Sequence, residues 1–132
     1  MQIFVLYLAT ALIFLIADAI MLKFVLKPFF DGYLADWLLE DIRVLPAVVF
    51  YLFYVAGLLW FVSVPALRSG FPTQALVGGA LLGALAYGTY EFTNFATLKS
   101  WSINMVMLDV LWGAVLTGLS AFGGVIIAKS IA

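Results

Sequence analysis

The chain has 132 residues, 67% of them hydrophobic and 10% charged, with a mean hydropathy of +1.21 and a net charge of −1. Soluble domains are nearer half apolar and a quarter charged, so this composition belongs in a bilayer; the lack of a basic surface excludes nucleic acid as a partner. With no Cys and no His, disulfides, thiol nucleophiles and thiolate metal sites are excluded, and zinc, haem and His-ligated pigments lose their commonest ligand. No cofactor is expected, and only hard cations held by carboxylates stay open.

Four apolar segments are each long enough to cross about 30 Å of hydrocarbon at about 1.5 Å per residue. The first covers 3–27. Up to Ala17-Asp18-Ala19 it looks like a secretory signal, but it lacks a charged n-region and the apolar run resumes after Asp18, so it is expected to stay as a span. Pro28 is expected to end it. In 29–43, Phe29, Phe30, Tyr33, Leu34, Trp37, Leu38 and Ile42 recur at helical spacing, with Asp31, Asp36, Glu40, Asp41 and Arg43 largely opposite. That pattern predicts an amphipathic helix lying in the interface. Its acidic face would be repelled by anionic lipid. It either closes one end of the bundle or serves as a lid or docking surface.

The second span covers 45–64, with Pro46 suited to its first turn. Pro65 through Pro72, with Arg68, Ser69 and Gly70 between, makes a turn into the third span, 74–98. Lys99-Ser100-Trp101-Ser102 makes a tighter turn into the fourth, 102–128, and Trp101 suits an interfacial anchor. The expected fold is all-α: a single transmembrane domain over 1–132, built as a four-helix up-down-up-down bundle with an interfacial helix between spans one and two. The loop side carries Lys23, Lys27, Arg43 and Lys99 and the terminal side Arg68 and Lys129. The excess of cations on the loop side puts it in the cytoplasm and both termini outside.

Three carboxylates lie inside the spans: Asp18, Glu91 and Asp109. Left unpaired and ionised, they would cost very roughly 8–10 kcal/mol together. Asp18 is nine residues before Lys27, Glu91 eight before Lys99 and Asp109 eight after Trp101, which sets each about 12–14 Å in from the loop side. The matching level of span two is near residue 53, flanked by Tyr51 and Tyr54. Glu91 shares a helical stripe with Ala80, Gly83, Ala84, Tyr87, Gly88, Asn94 and Phe95; Asp109 shares one with Trp112, Gly113, Leu116, Thr117, Ser120 and Gly124. Small residues at this spacing mark close helix contact in membranes, so both acids are expected to face protein. Asp18 shares its stripe with Tyr7, Thr10, Ala11 and Phe14. Lys23 and Lys99 are better placed to reach the interface than to pair with these acids. The carboxyls must then share protons, accept hydrogen bonds from Tyr51, Tyr54, Tyr87, Thr93, Asn94 or Trp112, or hold a cation, because close carboxylates in a low dielectric cannot all ionise. The candidate site for a ligand or proton is therefore Asp18, Tyr51, Tyr54, Tyr87, Glu91, Asn94, Asp109 and Trp112, with no metal set and no catalytic set. The plainer alternative is that these groups only fix helix register.

Several blocks carry a resemblance. Tyr7-Leu8-Ala9-Thr10 followed by Asp18, Phe50 through Gly57, Val64-Pro65-Ala66-Leu67, Tyr87 through Lys99, and Asp109-Val110-Leu111-Trp112-Gly113 together resemble an uncharacterised family of small predicted bacterial membrane proteins, a domain of unknown function. The likeness covers nearly the whole chain and is most specific from Glu91 to Lys99. It implies four spans and a bacterial inner membrane, and supplies no activity. In that family Asp is common where this chain has Glu91.

Three functions are compatible with these features. The first is proton- or cation-linked binding or transport of a small apolar or cationic substrate. The second is an accessory or assembly subunit of a larger membrane complex, which an aromatic-rich surface and small-residue faces suit; a homo-oligomer is also open. A lipid-modifying enzyme comes third: a carboxyl with a displaced acidity suits acid–base work, but Ser102 and Ser120 have no base placed by sequence.

Overall fold

A computed structural model describes residues 1–34 and 43–131. Every regular element among them is helical: α1 (Gln2–Met21), α2 (Lys27–Leu34), α3 (Val44–Leu58), α4 (Val64–Ser69), α5 (Pro72–Thr97) and α6 (Ile103–Ser130). In hydrocarbon no water can satisfy backbone N–H and C=O groups, so an apolar chain closes its hydrogen bonds within helices. Among the described residues three stretches are long and apolar enough to cross a membrane: Gln2–Gly32, Val44–Ser69 and Ile103–Ser130. At 26 residues α5 has the length, but its glycines, Thr, Tyr, Asn94 and Glu91 leave it less apolar than the other three.

Two prolines do not end helices as expected. A π-helical turn, Leu22–Leu26, joins α1 to α2, and a second, Leu59–Ser63, joins α3 to α4, so each helix runs on past Pro28 or Pro65. A proline ring collides with the carbonyl four residues earlier. For Pro28 and Pro65 those carbonyls belong to residues 24 and 61, inside the two π turns. The wider turn moves the carbonyl aside, and the helix continues instead of stopping. Residues 29–34 accordingly continue the first helix; the rest of the expected interfacial helix, with Trp37, Leu38 and Ile42, lies outside the described residues.

The main seam joins α5 to α6, and α1 packs along another side of α6. Glycines allow the close approach: a Cβ on Gly79 would lie 2.9 Å from the Gly118 Cα, and one on Gly83 would overlap the Gly113 carbonyl. The apolar core gathers at the terminal end of the bundle, where Leu6, Val55, Leu58, Val62, Ala66, Ala75, Ala121, Val125 and Ala128 are buried together. Here α4 and the π turn before it reach α5 and α6. The first half of that helix, α3, leans chiefly on α1. A smaller cluster closes the loop end: Trp101, Met105 and Val106, with Phe29, Phe30, Leu98 and Val110 against them. The bundle is therefore tight at the terminal end and parted towards the loop end.

Candidate binding site

Where α3 parts from α5, a cavity of about 530 Å³ opens. Its walls are Phe30, Phe50, Tyr51, Tyr54, Tyr87 and Tyr90, with Leu22, Leu26, Ala47 and Ala86 between them. Asp18 and Asp109 reach it from α1 and α6, and Lys27 also lines it. Lys27 is paired with Asp31 at 3.0 Å in an exposed contact one turn along. Such a pair contributes about 0.3–0.5 kcal/mol, so it neither anchors the helix nor neutralises the acids.

Asp18 is 3% exposed. The Tyr51 hydroxyl donates to its Oδ2 at 2.7 Å, and Trp112 Nε1 donates to its Oδ1 at 3.0 Å. Each oxygen thus has a neutral donor, and one carboxylate ties α1, α3 and α6 together. Nearby, Tyr54 and Thr117 share a hydrogen bond of 3.0 Å, and the Tyr7 hydroxyl donates to the Leu52 carbonyl at 2.8 Å. Phe14, fully buried, lies edge-on to Tyr54 with centroids 5.6 Å apart. These contacts set the wall that α3 presents to the cavity.

The other two acids are arranged differently. Glu91 is completely buried and does not line the cavity. Trp101 Nε1 donates to its Oε1 at 2.8 Å, while Oε2 has no donor. The Glu91 and Asp109 carboxyls face one another within hydrogen-bonding reach. Two carboxylates can only accept, so that contact is a hydrogen bond only when one of them carries a proton. Among the described residues no cation is paired with Asp18, Glu91 or Asp109. Nor do the three converge as the ligands of one metal ion would.

The sequence-derived set is thus divided by the structure. Asp18, Tyr51, Tyr54, Tyr87 and Asp109 meet at the cavity, Trp112 holds Asp18 from behind, and Glu91 sits beyond Asp109. Asn94 stands apart, paired with Tyr90 one turn back on α5. Trp101, expected at the interface, is 7% exposed with its indole turned inward onto Glu91. Phe30 and Tyr90 hold it edge-on at 5.9 and 5.7 Å. Phe30, Phe50, Tyr90 and Lys27 join the cavity without having been singled out. For Phe50 and Tyr90 the only sequence signal was an aromatic residue near the depth of the acids, which lipid-facing helices also carry; Phe30 and Lys27 lie on the loop side of that depth.

Helical content, three long apolar stretches and a buried polar layer define an integral membrane helical bundle. Residues 3–126 match the family described as predicted membrane protein, DUF2177. The chain belongs to that family, whose function is unknown. No curated protein and no solved structure matches it.

Proposed function

We propose that this protein binds a small, largely apolar monocation in the cavity, and that binding is linked to protons. One observation carries the proposal: six aromatic side chains line a space that Asp18 and Asp109 also line, and among the described residues no cation is paired with either acid. Ring faces attract a positive charge by about 0.5–2 kcal/mol, and an aromatic cage is the usual answer to quaternary ammonium. The volume suits an organic molecule, since ligand pockets run roughly 300–1,000 Å³. Four spans in a bacterial inner membrane, with both termini outside, complete this reading; in that frame the cavity lies nearer the cytoplasmic leaflet. The accessory-subunit alternative draws on exposed aromatics such as Phe53, Trp60 and Phe61, and contact with lipid already accounts for those.

The test is titration of benzyltriethylammonium into the protein in nanodiscs of zwitterionic lipid, followed by Tyr and Trp fluorescence. Saturable binding is expected, with Asp109→Asn weakening it by about tenfold or more, equivalent to about 1.4 kcal/mol. Equal affinities in the two proteins would remove the carboxylate lining from the site and with it this proposal.

A further inference from the structure

We infer that Glu91 and Asp109 form a proton site behind the cavity wall, and that a cation entering the cavity displaces its proton. This rests on the cavity reading above and assigns the two acids roles different from that of Asp18. Glu91 is wholly buried with Oε2 lacking any donor, so it is an unfinished polar group and not a saturated structural one. A buried acceptor without a partner is costly. The carboxyl it faces is Asp109, 8% exposed and in the cavity lining. A single proton between them completes the hydrogen bond and leaves the pair with one negative charge.

Among the described residues no group donates a hydrogen bond to Glu91 Oε2 in place of that proton. From α1 comes Asp18, whose two oxygens are already bonded. From α3 comes Tyr51, which donates to Asp18. On α5 stand Tyr87 and Tyr90, and from the turn before α6 Trp101 donates to the other Glu91 oxygen. Lys27 shares the cavity but is paired with Asp31. The donors named here on α3, α5 and the turn before α6 are neutral, and the other acid lining the cavity is Asp18.

The exchange balances. The O–H bond of the protonated carboxyl breaks, its electron pair stays on the carboxylate, and the proton leaves through the cavity to water. The pair goes from one negative charge to two, and the arriving monocation offsets the added charge. Asp109 lines the cavity and Glu91 does not, so the ligand touches Asp109 while Glu91 completes the proton site. Linkage is reciprocal: if the cation expels a proton, protons must weaken cation binding. Affinity therefore rises with pH.

The experiment is calorimetric titration of benzyltriethylammonium into the nanodisc-embedded protein at one pH, in two buffers with different ionisation heats. This cation neither gives nor takes a proton, so any buffer-dependent heat comes from the protein. Release of close to one proton per bound cation is expected in the wild type. Glu91→Gln should bind without release, with an affinity that no longer changes with pH, and Glu91→Asp should restore release. Equal heats in both buffers would overturn the proton site and the proton linkage while leaving cation binding in the cavity standing; undiminished release in E91Q would overturn the assignment of the proton to Glu91 and Asp109. No binding at all would overturn both. Infrared spectroscopy of the wild type gives a readout independent of any variant. The band of a protonated carboxyl should be present without the cation and lost on its addition, and a band that persists also overturns the inference.

Discussion

Gly83→Ala is expected to destabilise the protein by about 1–3 kcal/mol, the range for forcing extra volume into a packed interior. The new methyl has nowhere to go. Its position overlaps the Gly113 carbonyl and presses on the Thr117 hydroxyl, and backbone cannot rotate away as a side chain can. Relief requires α5 to move off α6 along the most extensive helix–helix seam of the fold. That movement would also disturb Tyr87, whose ring packs over Gly113 and lines the cavity, so ligand binding should weaken along with stability. Gly57→Ala is the matched comparison. Nothing lies within 4 Å of a Cβ there, and replacing a mid-helix glycine gains about 0.5–1 kcal/mol. Thermal unfolding in one neutral detergent should therefore move the two midpoints in opposite directions. A Gly83→Ala protein that unfolds no earlier than the wild type would mean that the α5–α6 seam is looser than described.

The seam was legible because small residues recur at helical spacing on both partners. The stripe read through Gly83, Tyr87 and Gly88 to Glu91 faces protein, as does the one from Asp109 through Gly113, Thr117 and Ser120. Phe95 does not follow, being 44% exposed, because a straight stripe drifts round a helix over its length. The common depth of the three acids followed from a rise per residue that hardly varies in helices, and the structure brings Asp18, Asp109 and Glu91 into one neighbourhood. The prolines were misread because a π turn leaves no mark in the sequence; it shows only in how the preceding carbonyls are turned. Trp101 was misplaced for a related reason. Its direction is set by the backbone between Leu98 and Ser102, and composition distinguishes an indole near a membrane surface from one folded inward only when its partner is known. The cavity was out of reach as well, since it arises from the divergence of α3 from α5, and divergence is a property of the whole bundle.

Asp18→Ala is expected to cost about 3 kcal/mol, and most of that cost comes from the donors it leaves behind. Interhelical hydrogen bonds in membranes average about 0.6 kcal/mol and reach about 1.7, whereas bonds to a charged group run to about 1.5–3. Two neutral donors on one buried carboxylate fall between these limits. Removing the acid orphans both the Tyr51 hydroxyl and the Trp112 indole N–H. Asp18→Asn keeps one acceptor oxygen and turns the other position into a donor, so it should lose about half as much. Tyr51→Phe removes one donor, leaves the Trp112 bond in place and should lose least. The order Ala, Asn, Phe separates this arrangement from a simple effect of buried charge, for which Asp18→Asn would be neutral or stabilising. The effect should also be uneven in space. The Asp18–Tyr51 bond is one of the few polar ties on α3, the helix that leans chiefly on α1 and walls the cavity. Hydrogen exchange on Asp18→Ala should therefore quicken in residues 44–58 before it quickens in α5 or α6. Uniform loss of protection across all helices would place Asp18 in the global fold and not in the cavity wall. Confinement of the change to α3 would make the acid the residue that holds the cavity in shape, distinct from the pair that holds its proton.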